Sequence, residues 1–363
     1  MRDKNLLVKL PVTMIFILLL YFPLVDRVFK LTPQQMLPEN RIPGKKGQFT
    51  FPLRSHLIRA NNFIKYKWFG VSAVPKVIAG KEGWLFQARE NKPPDRAGYF
   101  SSIQPFTPQE LEQWRRVLEQ RRQWLAKRDI HYLLILAPDK STIYPEYLPD
   151  SLQPFYRQSR LDQLAAYLKK HSTVPLVELR PALLAAKNQG LIYYKTDSHW
   201  NPYGACIAYG EIIKHLAAHS GKSEPMVPAD FKIRRRRNRS GGNLAIMLSL
   251  QDRVLREERL KLIPRTPFRV QEANLPQVTF ARTVKPEAFQ CPGADFPNAV
   301  MFHDSFGRQL KPFLTRHFSR IVYIRDWGFR FNLAVIREEN PKIVMDEIAE
   351  HFLYSKILSE PQQ

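Results

Sequence analysis

The sequence predicts an α/β fold, a three-layer sandwich with a mainly parallel sheet, preceded by an N-terminal membrane-anchor helix. Short apolar runs recur along the chain, and each is followed by a stretch with helical spacing of apolar residues. The run HYLLILAP at 131–138 is continuously apolar, which indicates a strand buried on both faces. The run at 10–25 is longer and predicts the anchor.

The elements of the sandwich follow one another in chain order. The segment Thr107–Glu110 is a capping box with proline at the first helical position, so a helix begins there. The remaining predictions are strands at 131–138, 175–179, 299–303, 320–324 and 342–346, and helices at about 157–171 and from Pro202 to about Ala218. Residues 220–290 are less regular and rich in arginine and proline, which indicates an insertion on one edge of the sheet.

The N-terminal run LPVTMIFILLLYFPLV, at 10–25, follows three cations. Sixteen helical residues rise about 24 Å, slightly less than a hydrocarbon core of about 30 Å. No small-x-small cleavage site follows the run, so an uncleaved signal anchor with a cytoplasmic N-terminus fits best; a buried core helix is the alternative. The expected organisation is a signal anchor at 1–30, a stalk and leading helix at 31–75, and one α/β domain at 76–363.

The 363 residues carry a formal net charge of +23, which points to a polyanionic neighbour. Nucleic acid, an anionic membrane face and an acidic polysaccharide all satisfy charge alone. An anchor places the domain outside the cytoplasm, which removes nucleic acid as a partner. Cys206 and Cys291 are too few for a disulfide scaffold, and the sequence leaves open whether they pair.

The first chemically suggestive segment is TDSHWNP at 196–202. Asn201 is a good N-cap and Pro202 a good first helical residue, so Asp197 and His199 lie in the loop before a helix. Residues two apart in an extended loop point the same way. The carboxylate can accept from one imidazole nitrogen and leave the other as a base.

The second segment is MFHDSFG at 301–307, where a buried strand ends and a helix is expected to begin. Ser305 therefore lies at a strand-to-helix turn, close to free amides that favour negative charge. An acyl-transfer nucleophile needs this geometry, with its own amide available to an oxyanion. A plain helix cap is the simpler interpretation.

The third segment is RSGGNL at 239–244. Gly242 permits close backbone approach to a ligand, and Asn243 offers an amide donor, although two glycines often mark only a turn. The neighbouring arginines at 234–237, with Arg239, form either a solvated edge or a site for an acidic chain.

Together these segments resemble the SGNH-hydrolase-like family of periplasmic alginate O-acetylation proteins, over most of residues 51–355. The paired signatures D-x-H-x-W, from Asp197, and DSF, at Asp304–Phe306, are specific. The supporting segments are GKEGWLF at 80–86, APDK at 137–140 with Tyr144-Pro145, and the closing strand and helix at 343–353. His303 and Asn243 depart from the glycine and the Gly-Asp-Leu usual in relatives, and Glu350-His351 replaces a frequent Glu-Arg.

The resemblance implies an SGNH-hydrolase-like domain with Ser305 as nucleophile, His199 as general base and Asp197 orienting the imidazole. Asn243 and Gly242 are candidates for the oxyanion site, and Trp200 and Arg239 for substrate contact. The family implies no metal or cofactor. It implies a surface polysaccharide as acceptor and a multispanning membrane O-acyltransferase as acetyl donor, at the periplasmic face of the inner membrane.

Three alternatives stay open on the sequence. A polysaccharide acetylesterase uses the same residues, with water in place of the sugar. A glycan-binding assembly factor keeps the fold and has no chemistry. A metallohydrolase would use Asp197, His199, His303 and Asp304 as metal ligands.

Overall fold

The computed structural model describes Met14 and residues 54–88, 105–155, 158–220, 223–280, 285–326 and 331–354. The expected anchor at 10–25, apart from Met14, and the stalk at 31–50 lie outside these residues. Among the described residues, no helix has the length and apolar character needed to cross a membrane.

The chain divides into two compact units, residues 1–73 and 74–363. In the first unit, helix α1 covers Arg54–Phe69 and leaves Trp68 and Phe69 largely exposed. A leading helix was expected between the stalk and residue 75, and α1 lies in that range.

The second unit contains the sandwich. Its strands are β1 Val77–Ala79, β2 Leu85–Gln87, β3 His131–Ala137, β4 Leu176–Glu178, β5 Phe231–Arg239, β6 Glu257–Pro264, β7 Gln271–Glu272, β8 Lys285–Gln290, β9 Ala299–His303, β10 Arg320–Arg325 and β11 Ile343–Ala349. Its helices are α2 Pro108–Ala126, α3 Lys140–Ile143, α4 Arg160–His171, α5 Arg180–Ala186, α6 Pro202–Ser220, α7 Asn243–Met247, α8 Lys311–Leu314 and α9 Leu333–Glu339.

The main sheet in the described part of the chain has the strand order β4-β3-β11-β9-β10-β8-β7. Strands β4 to β10 in that order pair in parallel, whereas β8 is antiparallel to β10 and β7 to β8. The mainly parallel sheet is therefore confirmed, with an antiparallel edge. Its parallel strands end at one rim, where ligand sites of open α/β sheets are found.

Helices cover both faces of this sheet, and the two faces form separate apolar clusters. Alternate residues of β3 point to opposite clusters, Leu133 and Ile135 to one and Leu134 and Leu136 to the other. The first cluster includes α6, and the second includes α2, α4 and α9. Burial on both faces explains why these strands are continuously apolar in sequence.

The region 220–290 is more ordered than its composition indicates. Strands β5 and β6 form a separate antiparallel hairpin, and β7 and β8 extend the main sheet. Strands β7 and β8 lie at one edge of the sheet, as predicted for this region. Their regular structure was missed, because an antiparallel edge strand lacks the continuous apolar run of a central strand. Cys206 and Cys291 are both buried and unbridged.

Candidate active site

The loop before α6 holds two of the predicted side chains. Asn201 caps the helix, because its Oδ1 accepts from the amides of Tyr203 at 2.9 Å and Gly204 at 3.1 Å. This fixes where the loop ends. Asp197 and His199 lie just upstream, and their side chains meet as the spacing predicts.

Three side chains from two distant segments form a hydrogen-bonded chain. His199 Nδ1 lies 2.7 Å from Asp197 Oδ1, and His199 Nε2 lies 2.8 Å from Ser305 Oγ. When Nδ1 carries the ring hydrogen it donates to the carboxylate, and Nε2 accepts from the hydroxyl. The contacts of an orienting acid, a base and a nucleophile are therefore all made within ordinary hydrogen-bonding distance.

The carboxylate of Asp197 is held in its charged form. Burial alone would raise its pKa, but hydrogen bonds from His199 and from the Asn243 amide outweigh burial and lower the pKa to about 2. Gly242 lets α7 approach this closely, since a Cβ at that position would lie 2.3 Å from the Asp197 Cβ. The second glycine of the third segment therefore accommodates the Asp197 loop.

Two buried acids hold the turn that carries Ser305. Asp304 accepts from the amides of Phe306 at 2.7 Å and Ala349 at 2.8 Å. Glu347, on β11, accepts from the amides of Asp304 at 3.1 Å and Gly307 at 3.0 Å. Burial, then the Asp304 charge, raises the pKa of Glu347 well above its usual value, so the neutral acid is favoured.

The helix expected directly after Ser305 is instead a 3₁₀ turn at Gly307–Gln309, followed by α8. Pro312 has no amide hydrogen, so it cannot make the i→i−4 hydrogen bond that would continue an α-helix from the turn. Ser305 still lies directly after β9, at the carboxyl rim of the sheet.

Lys140 stabilises the loop that carries Asp197 and His199. Its buried Nζ donates to the carbonyls of Tyr194 and Lys195, both at 2.9 Å, and of Asp197 at 2.6 Å. These contacts use all three ammonium hydrogens. Burial lowers the Lys140 pKa to about 7, and the charges of Glu257 and Asp197 offset part of that effect.

Ser305, His199 and Asp197 lie on the wall of a cleft of about 560 Å³. The other lining residues include Tyr194, Pro202, Leu260, Leu262 and Phe313, and the cations Arg259, Lys261, Arg308 and Arg325. A second cleft of about 760 Å³ shares Arg308, Pro312 and Arg325 with the first. The site is therefore rich in positive charge and adjoins a second cleft.

Residues 77–286, more than half of the chain, match the family described as SGNH hydrolase-like domain, acetyltransferase AlgX. The chain belongs to this family. The SGNH-like α/β fold expected from the sequence is thereby confirmed.

A curated relative, the probable alginate O-acetylase AlgJ of Pseudomonas aeruginosa, is 30% identical over 131 residues, which are 36% of this chain and 30% of the relative. The match thus spans about a third of that relative. The structure of Bacillus cereus PatB1 superposes with a TM-score of 0.58 at 16% identity, over 78% of this chain and 98% of the other. The O-acetyltransferase domain of Pseudomonas putida AlgJ gives 0.51 at 19% identity, over 78% and 94%. At these identities the two structures show a shared fold.

The remaining candidates occupy different positions. Asn243 lines the cleft, but its Nδ2 donates to Ser198 Oγ at 2.8 Å and its Oδ1 accepts from the Ser198 amide at 2.9 Å. Trp200 is completely buried and packs edge-on against Phe306, with ring centroids 5.0 Å apart. It therefore packs against the residue that follows Ser305 and is not accessible to a substrate. Arg239 lies opposite Glu257 at the end of β5, outside the residues that line the cleft.

The four residues of the metal alternative do not converge. Asp304 is fully buried with both oxygens on backbone amides, and the His303 ring is buried with its Nδ1 at the Asp304 carbonyl. Burial lowers the pKa of His303 to about 3. Among the described residues, no group of three or more side chains is arranged to hold a metal ion.

Sequence reasoning gave no role to several residues of the site. Lys140 was visible only as part of a family-like segment. Glu257 accepts hydrogen bonds from the Thr196 amide at 2.7 Å and the Thr196 hydroxyl at 2.6 Å. Glu257 and Glu347 carry no local signal, since their partners are distant in sequence. Arg308 also lines the cleft. It follows Ser305 by three residues, and this spacing could have predicted that the two side chains lie on the same side of the turn.

Proposed function

We propose that this protein is a serine-dependent O-acetyltransferase that modifies an anionic polysaccharide outside the cytoplasm through an acetyl-Ser305 intermediate. The observation that carries the proposal is the hydrogen-bonded chain from Asp197 through His199 to Ser305, at the wall of an open cleft. Membership of the acetyltransferase family and the relatives named as probable alginate O-acetylases favour acetyl transfer to a glycan.

In the first half-reaction, His199 Nε2 takes the proton of Ser305 as Oγ attacks the acetyl carbonyl of the donor. The tetrahedral intermediate collapses, the bond to the donor breaks, and the leaving group takes the proton from His199. Asp197, ionised because of its lowered pKa, stabilises the transient imidazolium.

In the second half-reaction, a sugar hydroxyl replaces the donor. His199 accepts its proton while the sugar oxygen attacks the acetyl carbonyl, and the proton returns to Ser305 Oγ as the enzyme ester breaks. The volume of the cleft, about 560 Å³, supports entry of a sugar unit.

The oxyanion of both intermediates needs donors near Ser305. The Ser305 amide and the Asn243 side chain are the candidates, because the Gly307 amide already donates to Glu347. An amide nitrogen carries two hydrogens, and the contact with Ser198 uses one of those on Asn243.

The proposed cellular location rests on the N-terminal sequence. Residues 1–30 are proposed as an anchor in the inner membrane, 31–75 as stalk and leading helix, and 76–363 as the periplasmic catalytic domain. A membrane-bound O-acyltransferase would supply the acetyl group. Replacing Leu18 and Leu19 by Asp should release the protein from the membrane fraction if residues 10–25 anchor it, and retention of that variant would contradict the anchor.

The reaction is tested by incubating the full chain with an aryl acetate and an anionic oligosaccharide, and measuring acetylated sugar and free acetate. We expect acetylated sugar with the unmodified protein and neither product above background with Ser305→Ala. Acetate alone would identify an acetylesterase. Undiminished sugar acetylation by Ser305→Ala would contradict serine catalysis.

A further inference from the structure

Four cations of the β5–β6 hairpin share one of its two faces. Residues directly opposite each other in an antiparallel pair lie on the same face. The register places Arg234 opposite Lys261 and Arg236 opposite Arg259. Side chains alternate along each strand, so these four residues share a face, here called the basic face.

The other face of the hairpin has a different character. Arg235 lies opposite Leu260 and bonds to Glu258 at 2.9 Å, and Arg237 Nε lies 3.7 Å from the same carboxylate. Leu262 packs against the main apolar cluster. Apolar side chains and an acid therefore accompany the arginines on this side.

The four cations of the basic face form no ion pair with any described residue. Like charges directly opposite each other destabilise a strand pair. Two successive pairs of this kind work against the hairpin, and an external anion would relieve the repulsion between them.

The basic face is continuous with the candidate active site. Arg259 and Lys261 line the cleft that contains Ser305 and His199, together with Leu260 and Leu262 of the other face. Arg259 lies over the ring of Tyr194, 4.9 Å from its centroid, which holds the guanidinium at the cleft wall. A chain that follows the hairpin would therefore enter the cleft.

We propose that the basic face binds successive carboxylate or phosphate groups of the polysaccharide and guides the chain across Ser305. This inference rests on the proposed function and adds to it the residues that select a charged polymer. The Cα atoms of neighbouring cations on one strand are about 6.6 Å apart. The basic face therefore favours a polymer with closely spaced negative charges over a single anion.

An anionic lipid surface also presents closely spaced charges. The cleft argues for the polysaccharide, because a flat headgroup layer cannot follow Arg259 and Lys261 into a concave wall, whereas a single glycan chain can. The membrane is therefore treated as an outcome of the test.

The alternation of the strand supplies a matched pair of variants. Arg234→Gln with Arg236→Gln removes two charges from the basic face, and Arg235→Gln with Arg237→Gln removes two from the opposite face. Binding of a fluorescent oligogalacturonate is measured with the full chain in neutral detergent, in a Ser305→Ala background, with a neutral dextran oligosaccharide as reference.

We expect the first variant to raise the Kd for oligogalacturonate on the order of tenfold and to weaken its salt dependence. The second variant should change the Kd by less than about twofold, as expected for cations outside the contact. Dextran binding should not distinguish the two. Circular dichroism verifies that both variants are folded.

Equal losses in both variants, or no loss in either, would overturn the proposal, because attraction would then follow net charge or lie elsewhere. Loss of binding to phosphatidylglycerol vesicles, with oligogalacturonate binding intact, would assign the face to a membrane and also overturn it. Because the measurement needs no acetyl transfer, it can succeed when the enzyme proposal fails. Conversely, acetyl-Ser305 could form while this proposal fails.

Discussion

At the residue scale, Asp197 joins the imidazole of His199 to the backbone of α7. Its Oδ1 contacts the ring at 2.7 Å, and its Oδ2 accepts from the Asn243 amide at 3.2 Å. With its pKa near 2, the folded-state value lies below the unfolded value of about 3.9. Its contribution to stability is therefore present above about pH 4 and is lost as the pH falls through 2.

Replacing Asp197 by Asn keeps the shape and removes the charge that fixes the imidazole tautomer. We expect kcat for an aryl acetate to fall about 10³- to 10⁴-fold. The matched control is Asp139→Asn, since Asp139 Oδ1 also lies 2.7 Å from a histidine Nδ1, that of His351. A comparable loss in both variants would argue against a special role for Asp197.

Short motifs predicted that Asp197, His199 and Ser305 meet, and their side chains are in hydrogen-bonding contact; their catalytic roles are proposed. The prediction failed for Trp200 as a substrate contact, since a motif does not reveal that the aromatic side chain points inward to Phe306. The lysine and acids that hold the two loops were missed, because their partners lie far away in the chain.

At the element scale, the start of α7 presses against the Asp197 loop at Gly242. A Cβ there would lie 2.6 Å from the Asp197 Cα, so Gly242→Ala must displace the loop. We expect kcat/KM to fall at least about tenfold, because a displacement near 1 Å costs more than that in a catalytic site.

Gly210→Ala is the control for this substitution. Gly210 lies inside α6, and its Cβ would meet only Pro225, at 3.9 Å. That variant should keep its activity and gain about 0.5–1 kcal/mol of stability, as alanine does in a helix. Unchanged activity in Gly242→Ala would contradict the tight fit of α7 to the loop.

Lys140, at the start of α3, predicts a pH-dependent stability. Its folded-state pKa of about 7 lies below an unfolded value of about 10.4, so between these pH values the unfolded chain binds more protons. The free energy of unfolding therefore gains up to about 1.4 kcal/mol per pH unit over this window from Lys140. Below pH 7 the contribution is constant.

The measurement is urea unfolding of the unmodified protein and of Lys140→Met at pH 7, 8 and 9. We expect the stability difference between them to change in favour of the unmodified protein as the pH rises. Lys187→Met serves as control, because Lys187 is partly exposed while it donates to the Ile143 carbonyl at 2.9 Å. Parallel profiles for the protein and Lys140→Met would contradict the lowered pKa of Lys140.

Elements were predicted well where one physical cause dominates. Strands β3, β9, β10 and β11 are buried on both faces, and their apolar runs mark them. The turn after Ser305 was predicted as a helix because the Gly307 amide donates to Glu347 of β11, a contact that is distant in sequence. The effect of Pro312 is local and could have been recognised.

At the scale of the whole molecule, one buried polar cluster joins a covering helix to the sheet. Asp346 on β11 accepts from Arg121 of α2 at 2.8 Å and from the Tyr132 hydroxyl at 2.6 Å. All three side chains are buried. Removing the acid takes away the negative charge that balances the guanidinium in a low-dielectric interior.

We expect Asp346→Ala to lower the free energy of unfolding by about 3–5 kcal/mol. Asp129→Asn removes the charge from an exposed pair with Lys342, at 2.8 Å, while asparagine tolerates the left-handed backbone at this position, and it should have a much smaller effect. Urea unfolding of the two variants provides the comparison. Similar stabilities would contradict the structural role of the buried cluster.

The overall architecture was predictable because alternation of apolar runs and helices determines an α/β sandwich. The basic hairpin was not, since the arginine run alone cannot say which cations share a face. That assignment requires the pairing of β5 with β6, a contact between residues about 25 positions apart.

The central claim is that Ser305 carries the acetyl group. The full chain is mixed briefly with an aryl acetate, quenched in acid and analysed by intact and peptide mass spectrometry, beside Ser305→Ala. The account predicts one acetyl group on Ser305, discharged when an anionic oligosaccharide is added, and none on the variant. Acetylation elsewhere, or turnover that persists without Ser305, would contradict it.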